Sequence, residues 1–130
     1  SQDSTLAALS LRRMSLATLP PELFALESVQ RLDLSDNQLT KIPKKLWKIK
    51  GLESVDLSNN QLKAKHLKIR KNTTIKQLTL SGNPLGKVPR HLHKLKGLEL
   101  LKLTNTQIDQ LKGLERATAL KNLVLNNNVV

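Results

Sequence analysis

Asp33 and Asp56 occupy nearly identical strings, L32-D-L-S-D-N-Q-L39 and V55-D-L-S-N-N-Q-L62, at a spacing of 23 residues. Two carboxylates about 5 Å apart are the arrangement of a retaining glycosidase, one serving as acid and the other as nucleophile. Neighbouring strands of a sheet, about 4.8 Å apart, would give that separation. The chemistry also needs a pocket that raises one pKa and excludes water, and a shallow sheet face supplies neither. Arg31 shares the face of Asp33 and Arg12 lies close on the same pattern, so ion pairing accounts for the carboxylates. His91 and His93 invite a metal reading, but on a helical arc residues two apart point apart, and no carboxylate is near them in sequence. There is no cysteine, glycine-rich phosphate loop, serine elbow or histidine-glutamate metal motif. The chain is therefore read as non-catalytic, without metal or cofactor.

Lysine offers a second kind of chemistry. The chain carries 22 Lys and Arg against 10 Asp and Glu, a net charge of +12. Residues 41 to 96 hold 15 of those bases and only two acids, Glu53 and Asp56, so the excess is local. It falls mostly in three stretches, K41-I-P-K-K-L-W-K-I-K50, K63-A-K-H-L-K-I-R-K71 and K87-V-P-R-H-L-H-K-L-K96. Lys44, Lys45, Lys48, Lys65, Lys68, Arg70, Lys71, Arg90 and Lys94 would give a basic surface repeated three times. Such a surface suits nucleic acid, anionic lipid headgroups or a sulfated polysaccharide, with affinity falling as salt rises. Nucleic-acid reading also needs stacking platforms, and Phe24 and Trp47 are the only aromatics. A solvated lysine-rich face that keeps the molecule soluble is the simpler account.

These residues recur because the chain repeats itself. Of its 50 apolar residues 29 are leucine, which suggests one core slot used many times. The string leucine-x-x-leucine-x-leucine, with Val or Ile allowed, starts at residues 6, 29, 52, 75, 98 and 120, so the spacing is 23 four times and then 22. Alternating pairs such as Leu32 and Leu34 read as a half-buried strand. Ile42, Leu46 and Ile49 follow near a helical period behind Pro43, which suits the first turn of a helix. Each copy is thus strand, turn and short arc. No copy can bury its own apolar edge, so the copies must stack, and six strands make a parallel sheet about 25 Å across. The ninth place holds Asn37, Asn60, Asn83 and Asn128, where a buried amide can pair with turn backbone in its own copy and the next. Thr106 can replace only part of that bonding. In the third copy Lys65, His66 and Asn72 take places where an apolar residue, a proline and an apolar residue belong. With only Leu67 and Ile69 left to anchor it, that arc is expected to bulge or move.

Along practically its whole length the chain resembles the leucine-rich repeat family. The pairs L19-P20, I42-P43 and V88-P89 resemble the 23-residue class of Ras-pathway scaffolds and many bacterial proteins. The stretch N105-T-Q-I-D-Q-L-K-G-L114 resembles the 22-residue class of phosphatase regulators. The resemblance implies an α/β solenoid, a right-handed superhelix with a parallel concave sheet of about six strands and short helical or 3-10 convex arcs. It also implies one domain over residues 1–130 and a ladder formed by the four asparagines.

As such proteins usually do, the chain is expected to bind a protein ligand on its concave face, through Arg12, Arg31, Asp33, Asp56, Thr79, Leu100, Lys102, Asn105 and Val124. Leu100 and Val124 are expected to be exposed, giving an apolar centre with a polar rim toward the C-terminal half. The alternative is an electrostatic binder of an anionic polymer or membrane surface through the convex lysines. Leu120, Leu123, Leu125 and Val130 continue the core pattern with no cover beyond them. The chain is accordingly expected to be a fragment of a longer array, or to meet a second copy end to end. Lack of cysteine removes the disulfide caps usual in secreted animal members, which favours a cytoplasmic or bacterial origin, the latter with or without export.

Overall fold

The computed structural model describes residues 5–129, so Val130, assigned above to the core, lies outside the described residues. Six strands follow in chain order: β1 (Thr5–Ser10), β2 (Ser28–Asp33), β3 (Ser54–Asp56), β4 (Gln77–Thr79), β5 (Leu100–Lys102) and β6 (Asn122–Val124). They form one parallel sheet in the order β1-β2-β3-β4-β5-β6, each strand pairing with the next copy in register. The register follows from the alternation of side chains, because a slip of one residue would turn every leucine outward. Leu32, Val55, Leu78 and Leu101 are partners across the sheet and are all buried. Behind them Leu34, Leu57, Leu80 and Leu103 form a second buried row.

The arcs are single 3-10 turns: Pro21–Ala25, Lys44–Lys48, Ala64–His66, Leu92–Lys94 and Leu114–Arg116. Pro20 and Pro43 precede the first two with φ near the value their rings impose, −65° and −72°. Leu23, Leu46 and Leu92 from the arcs, and Ile69 just after the third, point into the core, each burial stabilising by about 1.5–3 kcal/mol. At the two ends of the stack Leu6 and Leu123 remain exposed, and Leu120 and Leu125 are half-buried.

The third arc departs from the expectation of a poorly anchored segment. Ala64, Leu67 and Ile69 are buried, and so is Asn72. The Asn72 amide donates to the Trp47 carbonyl (2.8 Å), while its Oδ1 accepts from the N–H groups of Thr74 and Ile75, each at 2.8 Å. The Asn72 backbone bonds to the fourth arc on both sides, N–H to the Lys94 carbonyl and carbonyl to the Lys96 N–H. The Trp47 indole, fully buried, donates to the Leu67 carbonyl at 2.8 Å. Hydrogen bonds here replace the apolar contact that other copies use.

Candidate functional site

The ninth-place asparagines build the turns from inside. Asn60 Oδ1 accepts from the Leu39 N–H (3.0 Å), and its amide donates to the Leu34 and Leu57 carbonyls at 3.1 and 3.0 Å. Asn37, Asn83 and Asn128 repeat this, each bonding its own copy and the preceding one, not the next as the sequence suggested, because the amide points back along the stack to the last turn laid down before it. Thr106 donates to the Leu103 carbonyl of its own copy. The Leu85 N–H, which an amide there would have met, turns instead to the Asn83 carbonyl.

Just before the ladder, Arg13, Asp36, Asn59, Gly82, Asn105 and Asn127 all have positive φ, between 56° and 74°. Asp, Asn and Gly tolerate that left-handed region best. Some of their side chains join into a chain over the surface. Arg12 Nε donates to Asp36 Oδ2 at 2.9 Å, Arg13 Nε to the same oxygen at 3.4 Å, and Asn59 donates to Asp36 Oδ1 at 2.8 Å. These bonds, led by that from Arg12, hold the Asp36 carboxyl below its usual pKa and push the Arg12 guanidinium up. Arg12 therefore pairs with Asp36, and not with Asp33 as the sequence suggested.

Sheet register brings the outward residues into two columns. Ser10, Asp33, Asp56, Thr79, Lys102 and Val124 form one; Ala8, Arg31, Ser54, Gln77, Leu100 and Asn122 form the other. Asp33 and Asp56 are direct partners, but each carboxylate is engaged at home. Asp33 Oδ1 accepts from the N–H and hydroxyl of Ser35, at 2.9 and 2.6 Å, and Asp56 does the same with Ser58. Together with Arg31 and Ser54 they line a shallow depression of about 470 Å³. Toward the other end Lys102 and Asn105 are exposed. Leu100 and Val124 are half-buried, less open than the sequence suggested, because neighbouring strands cover part of each.

On the convex side Lys44, Lys45, Lys48, Lys65, Lys68, Lys71 and Arg90 are exposed, and Arg70 and Lys94 are half-buried. The ion pairs found among the described residues, Arg12 and Arg13 with Asp36 and Lys121 with Glu99, involve none of them. His91 takes a left-handed φ of 62°, which breaks the helical geometry and brings its ring edge-on to His93, 6.1 Å between centroids. The two rings thus meet where divergence was expected. Desolvation, then nearby cations, Lys94 and Arg90 for His91, lower both pKa values. No group of three metal-ligating residues occurs among the described residues.

The sequence reading missed Asp36, Asn59 and Asn72. The eighth-place run of Asp, Asn, Gly, Asn and Asn was the available signal for the first two, since those residue types mark left-handed turns. No helix among the described residues is long and apolar enough to cross a membrane.

No curated protein matches the chain. A leucine rich repeat family model matches residues 4–62. Residues 4–62 thus match the leucine-rich repeat family, and the strand, the turn and the asparagine with its hydrogen bonds come again beyond them at Asn83, which is buried, and Asn128, which is half-buried.

Proposed function

We propose that this chain is a non-catalytic binding module whose concave sheet face holds a protein ligand. Leucine-rich repeat domains generally mediate protein–protein interaction, and the face in question is read here from the columns of outward side chains. The observation that carries it is the register, which sets Leu100 beside Asn122 and Lys102 beside Val124. Two half-buried apolar side chains thereby stand among exposed polar ones, the pattern of a contact centre with a wet rim. Arg31, Asp33 and Asp56 extend the same face with charges that would fix register rather than supply most of the affinity. The bonds of the two aspartates to Ser35 and Ser58 favour this over a catalytic role.

A pull-down with this chain, repeated at high salt, provides the ligand for the test. Leu100→Asp should weaken its binding at least tenfold, about 1.4 kcal/mol, with the melting curve nearly unchanged. Lys68→Glu, on the convex arc, should do much less. If the convex change is the more damaging, and binding collapses with salt, the lysine arcs and an anionic polymer or membrane surface take the place of the concave face.

A further inference from the structure

Where the chain passes from turn to arc, its flank carries two grooves of like composition. The first, about 610 Å³, lies between the first and second arcs over Leu19, Phe24, Ile42 and Pro43. Leu19 and Ile42 are buried at its base and Phe24 is half-buried. Lys41, Lys44, Lys45 and Lys68 stand around it, all exposed. Lys68 follows the third arc with a left-handed φ of 54°, a conformation that lysine rarely adopts. The second groove, about 740 Å³, has Ala64, Leu85 and Val88 at its base and Lys63, Lys65, Lys87 and Arg90 around it. No acidic residue lines either groove among the described residues.

We infer that the first groove binds an acidic peptide segment that carries an apolar side chain, seated against Phe24 and Pro43 between carboxylates that meet the lysines. Charge complementarity requires an anionic ligand, and the recessed apolar base narrows its chemistry. A nucleic-acid backbone would use the charge and leave the base uncovered; of the two aromatics Trp47 is buried and engaged with the Leu67 carbonyl and Phe24 is half-buried in the groove, which leaves no row of exposed rings for successive bases. A bilayer surface reaches apolar groups that project outward, whereas Leu19 and Ile42 lie at the bottom of a groove. A side chain of a peptide can enter it. The second groove repeats the pattern along the same flank, so a longer acidic segment would find a second seat.

The test uses the labelled peptide Glu-Asp-Glu-Leu-Phe-Asp-Glu and its counterpart with Ala-Ala at the centre, read by fluorescence anisotropy. The expected result is binding of the first peptide and at least tenfold weaker binding of the second. Lys45→Glu with Lys68→Glu should also weaken the first at least tenfold, while Lys112→Glu, at an exposed position that lines neither groove, stays within about twofold. Thr18→Trp, at an exposed position lining the groove, should fill it and weaken the Leu-Phe peptide without changing the Ala-Ala one. Equal binding of the two peptides, or none up to about 1 mM, overturns the inference. So does tighter binding of polyuridylate or of phosphatidylserine vesicles that is abolished by the same two charge reversals.

Discussion

The Arg12 guanidinium and the Asp36 carboxylate, 24 residues apart in the chain, meet at 2.9 Å across neighbouring copies, and Asn59 completes the bond set from the copy beyond. The carboxylate pKa is depressed in the folded state by the Arg12 bond first and the Asn59 bond second. A depressed carboxylate adds stability that is complete above its ordinary value, here 3.8, and is lost as pH falls through the lower folded value. Asp36→Asn should therefore flatten the acid limb of the stability curve below that pH. Urea unfolding at a series of acid pH values measures it. An unchanged slope would show that the pair is not held in solution.

Asn60→Ala removes three bonds to buried turn backbone and should cost roughly 1–3 kcal/mol. Its exposed neighbour Gln61→Ala should stay within about 0.5 kcal/mol. Asn59→Ala is a poor comparison, since that side chain also bonds Asp36 and sits at a left-handed φ. Equal melting shifts for Asn60→Ala and Gln61→Ala would remove the ladder's energetic meaning.

The strands and ladder were legible because each depends on one physical rule applied at a fixed period. Leu32, Val55, Leu78 and Leu101 alternate with outward residues, and period alone puts them inside. An amide recurring where each strand ends has both donor and acceptor to offer, so Asn37, Asn60 and Asn83 could be placed without coordinates. Asp36 was not legible in the same way. Its partner is chosen by a left-handed turn that points it along the stack toward Arg12, not across the sheet toward Arg31. His91 misled for a related reason, because helical spacing predicts divergence and its left-handed φ cancels it. Asn72 looked like a gap in an apolar row, and only the position of the Trp47 carbonyl shows what it is for.

That role can be checked against the repeat's own preference. Asn72→Leu restores the apolar residue that the pattern favours, yet it should cost roughly 1–3 kcal/mol by leaving the Trp47 carbonyl and two N–H groups unpaired. Trp47→Phe removes the bond to the Leu67 carbonyl and leaves a cavity, so its cost should exceed about 1 kcal/mol. Denaturant midpoints decide the matter. A stabilising Asn72→Leu would mean that packing, not hydrogen bonding, governs the third arc.

Two glycines separate backbone strain from crowding. Gly82 and Gly86 have nearly the same φ, 74° and 76°, so alanine at either pays the left-handed cost of about 1–2 kcal/mol. A Cβ on Gly86 meets nothing within 4 Å, whereas one on Gly82 would overlap Asn59 Oδ1. Moving that amide aside would also break its bond to Asp36. Gly82→Ala should therefore destabilise more than Gly86→Ala. Residues in contact are coupled, so in the Asn59→Ala background the excess should shrink by at least about 0.5 kcal/mol. Equilibrium unfolding of the two single glycine variants and the Gly82/Asn59 cycle measures both quantities. Additive costs would show that Asn59 does not occupy the space beside Gly82, and that the surface chain from Arg12 to Asn59 stops short of the fourth copy.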